Sequence, residues 1–579
     1  MTEIVGGFWG ERRRIIRERT IPHGFSWLER GALSNLRGVS YSAGVDTSGA
    51  RFPFLDSDVY KWLEAVGWDP SVAPESADAA IAVVGLAQKP DGYVNSFFTT
   101  ERYVDLPWGH EFYCLGHLIQ AAVAWHRGAD DDRLLEIAIR AADRLDKDFG
   151  PGGREGIDGH PEVEMALVDL TRVTGDRRYL VLAQRMLDLR GHGLLGGGRF
   201  GSEYWQDHLP VREAPTVAGH AVRQLYLDCG VVDVAVEAGD DTLLAAVRRR
   251  WDDLMATRTY LTGGMGSRHR DESFGDPYEL PPDRAYTETC AAIASVMLAW
   301  RLLGATGDSS YADAIERAMF NGVLSGLSLS GTEFFYTNPL QRRTHRAAEP
   351  DGHSTRQPWY PCACCPPNLM RLLASWNQYI ATVTAEGVRI HQYADADISG
   401  PGGVRLRMRT EYPWRGRVTV HIDETPSDPW TLSLRVPGWC STALLTLPGS
   451  APVEVGSVSQ TRQWRRGDAV VLDLQMPIRI TLPNPRVDAV RGCLAVERGP
   501  LVYCLESADL PDGVELEDLV WDGTGRTVEM PRPDIAETLV GIEVPLVSKG
   551  RELSACAIPY YAWANRTPGG MRVWIPRIV

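Results

Sequence analysis

The sequence has no long apolar run, no long basic cluster and no signal-peptide pattern at its start. Because no stretch of about 18 consecutive apolar residues occurs, no membrane-spanning helix is predicted. The first residues lack a basic segment followed by an apolar segment, so we expect no secretory signal and a cytoplasmic location. The 75 acidic residues outnumber the 60 basic residues, which argues against nucleic acid or an anionic membrane as a partner.

The chain is long enough for several domains. Its 579 residues exceed what one hydrophobic core usually organises, so two to four domains are expected. Apolar residues make up 44% of the chain, which is typical of a globular protein. The sequence leaves the oligomeric state open, a homodimer included.

Apolar residues recur at helical spacing from about residue 55 to residue 380, as in residues 115–125 and 134–142. Between the predicted helices, a glycine that suits a helix C-cap precedes an aspartate or serine that suits the next N-cap. This pairing occurs in residues 128–130, 175–176, 239–240 and 307–309. Repeated helical hairpins of this kind predict an (α/α) barrel of about six hairpins, with an open α-solenoid as the alternative.

After about residue 385 the apolar period changes to two. Residues 404–409, 417–422 and 431–436 alternate strictly and are separated by proline and glycine. We therefore expect an all-α catalytic barrel over residues 1–383 and a β-sandwich domain over residues 384–488. Residues 489–579 are predicted to form a second β-sandwich, which the N-terminal residues complete in one version of this prediction.

The ten cysteines divide into two groups. Six are scattered among apolar neighbours and are predicted to be small core residues: Cys114, Cys229, Cys440, Cys493, Cys504 and Cys556. The other four are clustered, with Cys290 in a Glu-x-Cys element and Cys362, Cys364 and Cys365 in a Cys-x-Cys-Cys element. Glu288, Cys290, Cys364 and Cys365 together are a ligand set that suits tetrahedral zinc.

Three other interpretations of the cysteine cluster remain open on spacing alone. They are a closed structural zinc site, a vicinal redox dithiol and ordinary core thiols. The spacing matches no common zinc-finger pattern, so it does not choose among them.

Candidate polar residues for sugar chemistry lie near predicted helix ends and in a glycine-rich loop. Glu272 belongs to this loop, residues 263–274, and a loop at a barrel mouth can face a pocket. Such a glutamate is more often a solvated surface charge. His110, His160 and His220 each follow a glycine on a different hairpin. They are either helix caps or a ring of donors to sugar hydroxyls.

These motifs together resemble glycoside hydrolase family 127, the β-L-arabinofuranosidases. The resemblance covers nearly the whole chain, through residues 54–64, 159–162, 286–290, 362–366, 498–504 and 559–566. It implies an (α/α)6 barrel followed by β-sandwich domains, and a zinc ion held by Glu288, Cys290, Cys364 and Cys365. It further implies that Cys364 is the nucleophile and Glu272 the general acid/base. Residues that match sugar-binding positions are His110, His160, His220 and Tyr336, whereas Cys362 has no assigned role.

The leading functional hypothesis is an exo-acting retaining glycosidase that releases terminal β-L-arabinofuranose from an oligosaccharide. A second hypothesis keeps the fold and mechanism but changes the substrate to another furanose or a branched acidic pectin sugar, because residues 25–52 differ from the family pattern. A third, non-catalytic hypothesis is a zinc-stabilised carbohydrate-binding protein, since four protein ligands close a structural zinc site.

Overall fold

A computed structural model describes residues 2–40, 52–343 and 355–578. Of the segment 25–52, on which the substrate alternative rests, residues 41–51 lie outside the described residues. The α-helices are α1 Gly7–Ile15, α2 Ile21–Arg30, α3 Ala32–Ser40, α4 Asp56–Trp68, α5 Pro74–Ala87, α6 Glu111–Ala129, α7 Arg133–Phe149, α8 Val163–Thr174, α9 Arg177–Leu189, α10 Ala221–Ala238, α11 Asp241–Thr257, α12 Thr289–Thr306, α13 Ser310–Arg317 and α14 Cys365–Ala374.

Six of these helices form a closed inner ring. Each of α4, α6, α8, α10, α12 and α14 packs against the next, and α14 packs back against α4. The outer helices α5, α7, α9, α11 and α13 follow their inner partners as hairpins. The predicted (α/α)6 barrel is therefore confirmed, and the open solenoid is wrong because the ring closes.

Three of the four predicted turns have the expected glycine C-cap, and two of these also have the expected aspartate N-cap, whereas Ser309 forms no side-chain cap. Gly175, Gly239 and Gly307 end their helices with φ near +70°, and Asp176 and Asp240 accept hydrogen bonds from the first backbone amides of the next helix.

The fourth turn differs. Helix α6 ends at Ala129, and Asp130 rather than a glycine takes the left-handed conformation, with φ of 54°. Gly128 lies inside α6, where a Cβ atom would lie 2.2 Å from the carbonyl oxygen of Gly67 in α4. The glycine therefore permits the close approach of two inner helices instead of capping one.

Helix α12 is long and apolar enough to cross a membrane by composition, with a mean hydropathy of 1.4 over Thr289–Thr306. However, 72% of this stretch is buried inside the protein. Neighbouring elements cover a helix of the inner ring on most sides. Packing inside the protein therefore explains the apolar composition of α12.

The strands are β1 Thr2–Gly6, β2 Gln341–Arg342, β3 Ala381–Thr384, β4 Gly387–Ile390, β5 Asp395–Ser399, β6 Arg405–Thr410, β7 Arg417–Glu424, β8 Trp430–Leu434, β9 Ala443–Thr446, β10 Val453–Val455, β11 Val458–Arg462, β12 Ala469–Leu474, β13 Ile478–Thr481, β14 Cys493–Arg498, β15 Leu501–Glu506, β16 Leu519–Val520, β17 Val528–Pro531, β18 Val540–Ser548, β19 Arg551–Pro559, β20 Met571–Arg572 and β21 Ile575–Pro576. They form three sheets. One has the order β1-β5-β6-β7-β12-β9-β10, the second β11-β8-β4-β3, and the third contains β13 to β21 with β2. The alternating burial of β6, β7 and β8 agrees with the predicted period of two.

The N-terminal residues join a different sheet from the one expected. Strand β1 pairs antiparallel with β5, so it extends the first β-region and not the strands after residue 489. Strand β13, within the predicted first β-region, pairs with β14 of the last sheet. The β1–β5 pairing joins strands almost 400 residues apart, which a local alternation pattern does not specify. Strands β13 and β14 are consecutive, so their pairing places the start of the last sheet at Ile478, before the predicted boundary at residue 489.

The last sheet packs against the barrel through polar and aromatic contacts. Asn321 donates to the carbonyl of Pro500 (3.0 Å) and accepts from the amide of Val502 (2.8 Å). The indole of Trp563 stacks on Phe335 at 4.8 Å. Phe335 directly precedes Tyr336, so this sheet supports a loop that carries a predicted site residue.

Candidate active site

A cavity of about 200 Å³ lies at one end of the barrel. The residues that line it include Phe54, Ser57, Trp108, His110, Tyr113, His160, Tyr204, His220, Arg223, Glu272, Glu288, Cys290, Tyr336, Cys362, Cys364 and Asn368. Apart from Cys365, which is completely buried beneath the cavity, the structure brings together every site residue that the sequence predicted.

The cavity is built on the N-terminal ends of the inner helices. His110, His220, Glu288 and Cys364 immediately precede α6, α10, α12 and α14, and His160 lies three residues before α8. The backbone amides and the dipole at a helix N-terminus favour negative charge. Ring closure therefore gathers several such ends around one cavity.

Gly159 and Gly219 permit a close backbone approach that positions the histidines next to them. A Cβ atom on Gly159 would lie 2.0 Å from the carbonyl oxygen of Pro107, and one on Gly219 would lie 2.1 Å from that of Glu203. The loops before α8 and α10 thus cross neighbouring backbone at van der Waals distance. This packing holds His160 and His220 at the cavity wall.

Glu288, Cys290, Cys364 and Cys365, here called the thiol wall, form one compact cluster. Their ligand atoms all lie within 4.8 Å of one another. The Cys364 and Cys365 sulfurs are 3.8 Å apart, and the sulfurs of Cys290 and Cys365 are 3.4 Å apart. Cys364 Sγ lies 3.4 Å from Glu288 Oε1. Residues 75 and 76 positions apart in sequence therefore meet across the α12–α14 contact.

Negative charge in the thiol wall concentrates on Cys364. Hydrogen bonds from the thiols of Cys290, Cys362 and Cys365 hold the pKa of the Cys364 thiol well below its ordinary value. Burial raises the pKa of Cys290 and Cys365, and also the pKa of the Glu288 carboxyl, well above their ordinary values.

The thiol wall fits a tetrahedral metal ion. Zinc–sulfur bonds of about 2.3 Å place the sulfurs of one tetrahedral site roughly 3.8 Å apart, close to the separations found here. Glu288 Oε2 is buried and has no hydrogen-bond partner among the described residues. A buried carboxylate oxygen normally has a partner, and a metal ion supplies one.

Glu272 faces the cavity from its loop. Its Oε2 lies 2.9 Å from His220 Nε2, and the ligand atoms of Glu272, His220 and Glu288 lie within 4.8 Å of one another. The Glu272 side chain keeps 34% of its surface exposed, while His220 is buried. The backbone φ of Glu272 is +58°, an uncommon value for a residue other than glycine that often marks functional positions.

His110, His160 and His220, here called the imidazole wall, stand side by side. The ring centroids of His110 and His160 are 5.8 Å apart, and those of His160 and His220 are 6.0 Å apart. Burial lowers the pKa of His110 to about 3 and lowers the pKa of His160 well below its ordinary value. Both rings are therefore neutral at physiological pH and offer hydrogen bonds without charge.

The tyrosine expected from the resemblance lies against the nucleophile candidate. The Tyr336 hydroxyl is 3.2 Å from Cys364 Sγ and 3.9 Å from Cys362 Sγ. Thr337 forms a β-bridge with Glu288, which ties the tyrosine loop to the start of α12.

Models of known protein families identify the family to which this chain belongs. Residues 3–378 match the model of the "Beta-L-arabinofuranosidase, GH127 catalytic domain", residues 387–476 match the middle domain and residues 478–576 the C-terminal domain of the same family. The chain belongs to glycoside hydrolase family 127.

Relatives in this family match the chain over its full length. A non-reducing end β-L-arabinofuranosidase of Bifidobacterium longum subsp. longum is 34% identical, with 99% of each chain covered. The crystal structure of a GH127 β-L-arabinofuranosidase from Geobacillus stearothermophilus T6 has a TM-score of 0.95 at 36% identity, covering 100% of both chains. A second solved GH127 β-arabinofuranosidase has a TM-score of 0.91 at 33% identity, covering 100% of this chain and 96% of its own.

Several lining residues of this family 127 member were not predicted from its sequence. Tyr204 lies in a short 3-10 turn, and Arg223 donates to the carbonyl of Gly159 at 2.6 Å while packing over the Tyr204 ring. Tyr113 contacts the ring of His160 at 4.3 Å. Aromatic residues are also common in cores, so nothing local in the sequence separates these from the buried ones.

Proposed function

We propose that this family 127 hydrolase is an exo-acting, retaining β-L-arabinofuranosidase whose nucleophile is Cys364 and whose general acid/base is Glu272. One observation carries the proposal: the Cys364 thiol, in a cluster of three cysteines and a glutamate, and a loop carboxylate face the same small cavity. The relatives that match this chain over its full length are β-L-arabinofuranosidases, which supports this substrate class. Their catalytic family also argues against a non-catalytic binding protein.

We assign Glu288, Cys290, Cys364 and Cys365 as the ligands of a zinc ion. The donor set of three thiols and one carboxylate supports zinc over harder cations such as magnesium, which prefer oxygen. When bound, zinc stabilises the thiolate forms of its ligands at neutral pH.

The first half-reaction transfers the sugar to the enzyme. The Cys364 thiolate attacks the anomeric carbon, a carbon–sulfur bond forms, and the bond to the leaving oxygen breaks. Glu272 donates its proton to that oxygen as it departs. His220, 2.9 Å from Glu272, orients the carboxyl group toward the cavity.

The second half-reaction releases the sugar. Glu272, now ionised, accepts a proton from water as the water oxygen attacks the anomeric carbon. The carbon–sulfur bond breaks, and Cys364 returns to the thiolate. Two displacements at one carbon retain its configuration.

The cavity supports removal of a single terminal sugar. About 200 Å³ is lined by residues of both the thiol wall and the imidazole wall. The neutral rings of His110 and His160 suit sugar hydroxyls, which need both donors and acceptors.

The test combines turnover, stereochemistry and covalent labelling. We expect hydrolysis of an aryl β-L-arabinofuranoside, with the β-anomer as the first product seen by NMR. A furanose-configured epoxide probe is expected to label Cys364, as located by mass spectrometry, in protein that contains one zinc per chain by elemental analysis. An inverted first product, or a label confined to another residue, would contradict the proposed mechanism.

A further inference from the structure

A second cavity adjoins the first and shares a wall with it. It has a volume of about 350 Å³ and is lined by residues that include Phe200, Glu203, Tyr204, His208, Arg268 and Asp271. Tyr204 lines both cavities. The mechanism described above uses none of the other residues named here.

The loop that carries Glu272 separates the two cavities. Glu272 points toward His220 in the first cavity, whereas its neighbours Asp271 and Ser273 line the second. A group attached to the oxygen that Glu272 protonates therefore leaves the first cavity along the edge of this loop.

Aromatic rings form a continuous shelf along that edge. Trp108 lines the first cavity and is 39% exposed. Its ring lies 5.8 Å from that of Tyr204 and 6.4 Å from that of Phe200. The Phe200 and Tyr204 rings are 4.9 Å apart. The exposed Trp108 and the partly exposed Phe200 present rings of the kind that stack on the apolar face of a sugar, and the buried Tyr204 packs against both.

Polar groups accompany the shelf. Asp271 Oδ1 and His208 Nδ1 are buried and have no hydrogen-bond partner among the described residues. The guanidinium groups of Arg199 and Arg270 lie 5.0 Å and 5.9 Å from the centre of the Phe200 ring. Polar side chains that line a cavity next to an aromatic ring match the hydroxyl groups of a carbohydrate.

We propose that the aromatic shelf of Trp108, Tyr204 and Phe200, together with the second cavity, binds the sugar unit next to the cleaved bond. This inference rests on the proposed function, because it takes Glu272 as the proton donor to the leaving oxygen. Such binding makes the enzyme selective for glycosides whose aglycone is itself a sugar. The residues that determine this selectivity lie outside the thiol and imidazole walls.

The test compares two substrates that differ only in the aglycone. A methyl β-L-arabinofuranoside has no aglycone ring, whereas a β-L-arabinofuranosyl disaccharide has a complete sugar there. In Phe200→Ala, the ratio of kcat/KM for the disaccharide to kcat/KM for the methyl glycoside is expected to fall about tenfold from that of the unmodified enzyme. The control Leu482→Ala removes an exposed apolar side chain of the C-terminal region, and its ratio is expected to stay unchanged.

The outcomes separate this proposal from the proposed function. If the unmodified enzyme hydrolyses neither glycoside, the proposed function fails. If it hydrolyses both and Phe200→Ala leaves the ratio unchanged, the sugar-binding shelf is wrong while the function stands. A misfolded variant would lower both rates together, and equal losses on the two substrates would likewise contradict the shelf.

Arg270→Ala tests the polar part of the same site with neutral and uronic acid aglycones. A larger loss on the uronic acid disaccharide supports a carboxylate contact, and an equal loss on both disaccharides supports hydroxyl contacts. No loss on either would remove Arg270 from the site.

Discussion

The thiol wall and the imidazole wall occupy equivalent places in the barrel, and burial favours the neutral form of the side chains in both, but hydrogen bonds make Cys364 an exception. Both stand at the N-terminal ends of inner helices and both are largely withdrawn from water. In the imidazole wall, burial lowers the pKa of His110 and His160, which leaves neutral rings. In the thiol wall, the hydrogen bonds of three neighbouring thiols lower the pKa of Cys364, which concentrates charge there. One helix geometry therefore supports both a residue that favours negative charge and a row of neutral rings.

The largest expected effect is at the charged residue itself. We expect Cys364→Ser to lower kcat on an aryl β-L-arabinofuranoside at least about 10³-fold, because a serine hydroxyl is not ionised at neutral pH. Steady-state kinetics measures this effect. Cys493→Ser, in strand β14 of the last sheet, is the matched control and is expected to keep full activity. Full turnover by Cys364→Ser would show that the two walls do not differ in reactivity.

Glu272→Gln is expected to lower kcat about 10²- to 10³-fold, because the amide cannot donate or accept the proton. The loss should shrink for aryl leaving groups of low pKa, which need little protonation. A plot of log kcat against leaving-group pKa measures this dependence. Glu454→Gln, an exposed change in β10, serves as the control. A loss that is the same for every leaving group would count against a proton-transfer role.

Metal removal is expected to lower the stability of the protein through the thiol wall. If free zinc exceeds its dissociation constant a thousandfold, its removal costs about 4 kcal/mol of folding free energy. A chelator should therefore lower the Tm in calorimetry. In Cys365→Ser, which lacks one ligand, the chelator should lower the Tm less. The same decrease in both proteins would mean that Cys365 does not bind the metal.

The smallest effect concerns the pH dependence of the imidazole wall. Below about pH 6.5 His110 becomes protonated in the unfolded chain. In the folded protein it stays neutral until the pH approaches its pKa of about 3. The contribution of His110 to the free energy of unfolding is therefore fully present above pH 6.5. It falls as the pH is lowered, by about 2 kcal/mol at pH 5. Denaturant unfolding of His110→Asn should show a shallower decrease between pH 6.5 and pH 5. The exposed substitution His192→Asn should retain the slope of the unmodified protein, and an unchanged slope in His110→Asn would mean that His110 is protonated in the folded state.

Local patterns predicted much of the fold, but not its long-range pairings. The change of apolar period near residue 385 agrees with the last helix of the ring, α14, and the first strand that follows it, β3. The pairing of β1 with β5 was missed because it joins residues almost 400 positions apart, and strand register is not written in either segment alone. Tyr204 and Phe200 were missed for a related reason, because an aromatic residue has the same local pattern in a core and on a shelf.

The sequence by itself determined which chemistry is present: thiols and a carboxylate in Glu-x-Cys and Cys-x-Cys-Cys elements, with histidines at predicted helix starts. Only the tertiary structure decided that these elements form one site. Closure of the six-helix ring places α12 beside α14, so that the sulfurs of Cys290 and Cys365 meet at 3.4 Å. The same closure buries His110 and His160 and thereby keeps their rings neutral, because the pKa of a side chain depends on its surroundings and not on its neighbours in sequence.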